Sequence, residues 1–178
     1  MILSGSSPCP NLDELYGEVI RLASNLGVRT ILDSRGGALR AGLRAGPFMI
    51  KPNAAETEEA LGFSPRDERL RVEALRAYVD MGVELPILSL GREGAWMWWE
   101  GRIYSATPPP VREVNPVGSG DSMVAGIAYG LSVGMDPVES LRLGVAAGAA
   151  NAAIWDAASC TRTQINSLLN GVRIHTIG

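Results

Sequence analysis

Short apolar segments recur along the first half of the chain, each followed by a stretch with helical period. This alternation constrains the fold more than any other feature. Met1-Ile2-Leu3-Ser4-Gly5, Thr30-Ile31-Leu32-Asp33, Phe48-Met49-Ile50 and the run Pro86 to Leu90 are too short for amphipathic helices. They are also too continuously apolar for strands with one wet face. Between the first two, Leu12, Leu15, Tyr16, Val19, Ile20, Ala23 and Leu26 follow a helical period. Asn11 and Glu14 stand at capping-box spacing before them, and Gly27 ends the run. A short helix is expected over Gly37 to Arg44. Another is expected from Ser64 and Pro65, with Ser64 as cap and Pro65 at the first helical position. A β-α-β-α-β rhythm of this kind implies an α/β fold: a mostly parallel sheet flanked by helices, joined by right-handed crossovers. The chain opens directly in an apolar strand, so a sheet truncated at its N-terminal side is expected, with strands missing upstream.

The pattern changes after Gly91. Ala95 to Trp99 and Arg102 to Ala106 flank Glu100-Gly101 and read as a β-hairpin. Alternate residues of a strand face opposite ways, so at least one of Trp96, Trp98 and Trp99 is expected to be buried. Pro108-Pro109-Pro110 is a stiff break, and Val111 to Val114 reads as a further strand. The last third is helical: Asp121 to Val133, Asp136 to Trp155 opened by the spacing of Asp136 and Glu139, and Thr163 to Asn170.

Composition removes several function classes. The chain has 178 residues, enough for one ordinary domain with a real core, and 46% of them are hydrophobic. Net charge is −3, and the basic residues between Arg66 and Arg76 alternate with Asp67, Glu68 and Glu73. That is a solvated helix face rather than a nucleic-acid surface, which needs clustered cations. The two cysteines, Cys9 and Cys160, and the single histidine, His175, do not make a structural zinc set. The first ten residues lack the basic and long apolar regions of a signal peptide, and Leu143 to Trp155 is too short to span a bilayer. The cytoplasm is the expected location, with no membrane partner.

The most informative stretch is Asn115-Pro116-Val117-Gly118-Ser119-Gly120-Asp121-Ser122-Met123, which opens a helix. Gly118 and Gly120 allow a ligand to approach the backbone, and free N–H groups at a helix start attract anions. A carboxylate at Asp121 beside such a site can take a proton from a hydroxyl that attacks phosphorus. By spacing alone, a glycine-rich loop with Asp121 as a plain cap is an equal reading. It is not a Walker loop, since no Lys-Ser or Lys-Thr follows. It is a poor dinucleotide fingerprint too, since it follows a hairpin rather than the first strand. Upstream, Asn53 and Glu56 stand three apart. They either cap a helix or orient the waters of a hard cation such as Mg²⁺.

Asn115 to Asp121, continuing as Ser122-Met123-Val124-Ala125-Gly126, resembles the C-terminal signature of the PfkB carbohydrate kinases. The resemblance implies a ribokinase-like fold. It implies that Gly118, Ser119 and Gly120 line an anion hole for the transferring phosphoryl group, and that Asp121 is the catalytic base. Ser119 stands where the family has alanine. Pro116 replaces Thr or Ser, which removes an N–H and alters the entry to the turn. Lys51-Pro52-Asn53-Ala54-Ala55-Glu56 resembles the family's Asn-x-x-Glu motif, which implies that Asn53 and Glu56 handle Mg²⁺ through water. Ser89-Leu90-Gly91-Arg92-Glu93-Gly94 resembles the turn that lies along the nucleotide phosphates, implicating Ser89, Gly91 and Gly94. The small-residue helix around Gly144 to Ala153 packs beside adenine in the family, which makes Asn151 a candidate nucleotide contact. Ser4-Gly5-Ser6, Ile31 to Ser34 and the tail Thr161 to Val172 are similar to the sugar-phosphate branch, which includes 1-phosphofructokinase and tagatose-6-phosphate kinase.

The resemblance covers the whole of residues 1–178 as the C-terminal, nucleotide-binding portion of such a kinase domain. The family's N-terminal sugar-binding signature and its β-sheet lid are not visible in the sequence. The implied ligands are ATP, Mg²⁺ and a sugar phosphate. Two readings stand: an ATP-dependent kinase acting on a phosphorylated ketohexose, or a catalytically incomplete nucleotide-binding fragment of one. A sheet edge left exposed by missing strands would also favour pairing, which leaves a homodimer open.

Overall fold

The structure is a computed structural model and describes residues 1–177. It contains two compact units. The first comprises Met1–Ser89 with Met97–Gly101, and the second runs over Leu90–Trp96 and from Arg102 onward.

In the first unit, β1 (Ile2–Ser4), β2 (Ile31–Asp33), β3 (Met49–Ile50) and β4 (Leu85–Ser89) pair in chain order, and every pairing is parallel. The register sets Leu3 beside Leu32, Leu32 beside Ile50 and Ile50 beside Pro86. Parallel neighbours require a crossover, and helices supply it. They are α1 (Leu15–Asn25), α2 (Gly36–Leu43), α3 (Ala54–Leu61) and α4 (Glu68–Asp80). Ile20, Leu32, Leu39, Met49, Ile50, Leu75 and Leu85 are fully buried and form the core of this unit. α4 buries Leu70, Ala74, Leu75 and Tyr78 and exposes all its charged residues but the half-buried Arg71, as their spacing predicts.

Two expected helix starts move. Asn11 and Glu14 do not close a capping box. Pro10–Leu12 instead forms a 3-10 turn, and α1 begins after Glu14, which makes an ion pair with Arg44. α4 begins after Asp67 rather than Ser64. The Asp67 carboxylate accepts from the Leu70 N–H at 2.9 Å, and Arg71 Nε donates to the Pro65 carbonyl, holding that proline outside the helix. A charged cap meets the positive helix end more strongly than a hydroxyl does.

The second unit holds β6 (Arg102–Thr107) paired antiparallel with β7 (Arg173–Ile177), and three helices: α5 (Ser119–Ser132), α6 (Pro137–Ala152) and α7 (Arg162–Leu169). β5 (Ala95–Trp99) precedes β6, and the intervening Glu100 and Gly101 both take positive φ, at 48° and 77°. That is the conformation of a type I′ turn, as the Glu-Gly pair suggested. Trp96 is buried, and Trp98 and Trp99 are partly so.

β7 was not expected from the sequence, and the strand expected over 111–114 does not form. Glu113 is committed to an ion pair with Arg92, and the Val114 N–H donates to the Ala152 carbonyl at 2.7 Å. With the Val114 and Asn115 N–H groups both given to that carbonyl, these donors are not available to a strand ladder. α6 starts at its predicted cap, with the Asp136 carboxylate accepting from Val138 N–H, but Glu139 turns to Arg142 instead of completing the box. The chain is thus α/β: the strands of the first unit are parallel and flanked by helices, and the second unit pairs β6 with β7 antiparallel beside three helices.

Candidate functional site

The glycine turn is built by the chain around it. Gly118 is the residue before α5 and adopts φ +79°, a left-handed conformation that favours glycine. A Cβ there would lie 2.8 Å from the backbone nitrogen of Ala158, so the turn also needs the absence of a side chain. Asn115 fastens the entry. Its Oδ1 accepts from Val117 N–H at 3.0 Å, and its Nδ2 donates to the Trp155 carbonyl at 2.8 Å. Pro116 fits this turn, since its carbonyl accepts from Ser119 N–H at 3.1 Å and its missing N–H is not called upon.

α5 begins earlier than the sequence suggested, so Ser119, Gly120 and Asp121 form its first turn. The Ser122 N–H donates to the Gly118 carbonyl at 2.9 Å. No side chain caps this helix start, and the N–H groups of Gly118 and Gly120 have no acceptor among the described residues. Unpaired donors at a helix N-terminus carry partial positive charge and suit an oxyanion. Asp121 lies within this first turn and is exposed, while Ser122 beside it is buried.

Behind the turn stands α6. Asn151 has no exposed surface, and its Nδ2 donates to the Val117 carbonyl at 2.8 Å and to Ser119 Oγ at 3.1 Å. The Val114 and Asn115 N–H groups both reach the Ala152 carbonyl. Gly148 lets the helix come close: a Cβ there would lie 3.1 Å from the Ser119 carbonyl oxygen. Sequence reasoning did not single out Asn115, Ala152 or Ala158 as supports of the turn. Ala152 acts through its backbone carbonyl and Ala158 through its backbone nitrogen, which leave no signature in a sequence, whereas Asn115 acts through its side chain.

Gly91 and Gly94 belong to a tight turn, with Gly91–Glu93 forming a single 3-10 turn and Leu90 N–H donating to the Gly94 carbonyl at 2.8 Å. Gly94 takes φ +90°, and a Cβ would overlap the Ala106 carbonyl. Arg92 in this turn forms a forked ion pair with Glu113 at 3.0 and 3.1 Å. The guanidinium holds the Glu113 carboxyl below the usual range.

In the first unit, Ser89 ends β4. Its N–H donates to the Pro52 carbonyl at 3.0 Å, and it bridges to Asn53. Asn53 and Glu56 make a complete capping box for α3: Asn53 Oδ1 accepts from Glu56 N–H, and Glu56 Oε2 accepts from Asn53 N–H. Oε1 of Glu56 stays outside that box. Burial raises the Glu56 carboxyl above its ordinary range, against the opposing pull of the Asn53 N–H and Lys51. Lys51 is itself buried and pairs with Asp33 at 3.2 Å. Among the described residues, no three His, Cys, Asp or Glu side chains converge as a metal set. A cation at Asn53 and Glu56 would therefore keep much of its own water, as Mg²⁺ commonly does.

An open polar cleft of about 380 Å³ also lies in the first unit, lined by Ser6, Ser7, Asp13, Arg35 and Glu59 with the start of α2. Of the residues singled out from the sequence as resembling the sugar-phosphate branch, Ser6 lines it; none of the candidate catalytic, anion-hole, nucleotide or metal residues does. No helix among the described residues is long and apolar enough to cross a membrane.

These features can be set beside known proteins. The family model described as "pfkB family carbohydrate kinase" matches residues 1–164. Tagatose-6-phosphate kinase of Staphylococcus epidermidis is 38% identical over 157 residues, covering 85% of this chain and 50% of the relative. 1-Phosphofructokinase of Borreliella burgdorferi is 31% identical over 178 residues, covering 99% of this chain and 57% of the relative. Phosphofructokinase-2 from Escherichia coli, solved in complex with substrates and products, superposes with a TM-score of 0.88 at 30% identity, over 96% of this chain and 56% of that one. Ribokinase of Arabidopsis thaliana shares the fold, with a TM-score of 0.78 at 23% identity over 88% of this chain and 52% of that one. The chain thus spans about half the length of the curated relatives it matches. By the extent of these matches, the chain belongs to the PfkB family of carbohydrate kinases.

Proposed function

We propose that this chain provides the nucleotide-binding and base-bearing part of an ATP-dependent sugar-phosphate kinase. The acceptor is a hydroxyl of a phosphorylated ketohexose, and ATP is the donor. The observation that carries the reading is the start of α5, where two glycine N–H groups without an acceptor among the described residues and an exposed Asp121 lie within the four residues 118–121. Asp121 takes the proton of the acceptor hydroxyl as its oxygen bonds to the γ-phosphorus. The bond from that phosphorus to the β–γ bridging oxygen breaks, and ADP leaves with the electron pair. Gly118, Ser119 and Gly120 offer backbone donors to the charge that develops on the transferring group. Ser89, Gly91 and Gly94 supply the turn along the donor phosphates, and its pinned geometry limits the ordering cost of binding. Asn53 and Glu56 would orient a hydrated Mg²⁺, which when bound screens the phosphate charge. The names of the relatives, a tagatose-6-phosphate kinase and a 1-phosphofructokinase, support an acceptor that already carries phosphate.

A second reading, nucleotide binding without turnover, is favoured by the coverage of about half of each relative. Asp121→Asn tests the first. Turnover should fall by about a thousandfold or more, as for removal of a positioned base, while the calorimetric affinity for ATP·Mg²⁺ stays within about twofold. Equal loss of both defeats the base assignment. Wild-type protein that binds ATP·Mg²⁺ without turning over any sugar phosphate selects the second reading.

A further inference from the structure

We propose that Asn151 is a positioning residue, which keeps the anion turn open by fixing the peptide between Val117 and Gly118. This rests on the kinase reading only where nucleotide affinity is concerned. A trans peptide is planar, and its C=O and N–H point in opposite directions. Asn151 Nδ2 holds the Val117 carbonyl at 2.8 Å. The Gly118 N–H of the same peptide is thereby aimed away from α6, on the side where it has no acceptor among the described residues. If this peptide flipped, the Val117 carbonyl would replace that donor, and the turn would repel an anion instead of attracting it. Glycine at 118 makes such a flip sterically cheap, so something else must prevent it.

The orientation of the Asn151 amide is itself determined. Turned over, Oδ1 would face the Val117 carbonyl, acceptor against acceptor. In the observed orientation Nδ2 serves two acceptors, Val117 and Ser119, while Oδ1 is buried without any partner. An orphaned buried carbonyl destabilises the fold. The neighbours on this stretch of α6 are Gly148, Ala149, Ala150 and Ala152, so packing alone would be served by another small apolar residue. The amide is retained at a cost, and what it gives in return is the hold on the turn. Since its atoms are enclosed, Asn151 reaches a nucleotide through the turn and not by contact.

The experiment compares wild type, Asn151→Ala, Asn151→Asp and Ser140→Ala. Ser140 is a control: it is another fully buried polar residue of α6, also with an unpaired oxygen. The readouts are the Gly118 amide resonance by NMR and calorimetric titration with ATP·Mg²⁺ and ADP·Mg²⁺. In folded Asn151→Ala, the Gly118 resonance should split or broaden as the peptide samples two orientations. Affinity for ATP should fall about tenfold while ADP changes less, because the turn meets the terminal phosphoryl group. Ser140→Ala should do neither. If alanine prevents folding, Asn151→Asp decides in its place, since it keeps the shape and loses both donors. An unmoved Gly118 resonance in a folded variant overturns the proposal. Should wild-type protein bind no nucleotide, the kinase reading fails, and the Gly118 resonance still decides the role of Asn151.

Discussion

Tyr78 and Lys51 bring polar atoms into the core of the first unit, and their partners explain why the fold tolerates them. The Tyr78 hydroxyl meets Thr57 Oγ1 at 3.3 Å, and burial pushes its ionisation up to about 12 from 10.0. The folded state therefore holds this proton more tightly than the unfolded chain does. The stability so conferred is complete below pH 10, declines above it and is lost as the pH passes about 12. Tyr78→Phe should remove that alkaline decline while costing about 1 kcal/mol at neutral pH for the abandoned Thr57 hydroxyl. Unfolding in urea across an alkaline pH series checks both. Lys51 is a stricter case, because its partner is a carboxylate that is itself largely enclosed. Lys51→Met should destabilise by about 3–5 kcal/mol, the usual result of leaving one charge of a buried pair alone. Adding Asp33→Asn should restore part of the lost urea midpoint. If the double variant is no more stable than the single, the pair is not what holds Lys51 in place.

Among the elements, α5 and α6 depend most on small residues. A Cβ at Gly144 would lie 2.4 Å from Ile127 Cγ1 and 2.7 Å from the Met123 carbonyl oxygen. The second of these is backbone and cannot swing aside. Gly144→Ala should therefore destabilise by about 1–3 kcal/mol despite alanine's better helix propensity, the opposite of its effect on an open helix. Thermal unfolding measures the sign directly. The same elements show what a sequence makes legible. The Asn53–Glu56 box and the Glu100-Gly101 turn were readable because each is settled within four residues. The Asn11–Glu14 box does not form: Pro10–Leu12 takes a 3-10 turn, and Glu14 pairs with Arg44, distant in sequence. β7 was missed because its residues are mostly exposed and alternate too weakly to stand out, and its partner β6 lies some seventy residues upstream. At the site, the residue types of the glycine turn were visible. Asn151 was visible as a candidate contact but not as a support of the turn, and Ala152 and Ala158 were not visible, since they act through backbone atoms.

For the molecule as a whole, the governing fact is coverage: about half of each curated relative. Phosphoryl transfer needs two substrates held in line. In the reading proposed above, this chain's residues serve a donor and a base, while the sugar-binding signature expected for the family is not visible in these 178 residues. If the chain binds nucleotide without turnover, calorimetry with ATP·Mg²⁺ should give an affinity that a panel of ketohexose phosphates leaves unchanged. A sugar phosphate that tightened ATP binding would reveal an acceptor site within this chain. Gly118 offers one more lesson at this scale. Its left-handed backbone faces the nitrogen of Ala158, which is itself left-handed at φ +52°. Two unusual conformations thus lean on each other across a gap with no room for a methyl group. In a saturation library scored for folded protein, codon 118 should tolerate only glycine, whereas codon 134, left-handed with open space around it, should admit asparagine. The contrast between those two codons would separate backbone strain from crowding without any knowledge of the ligand.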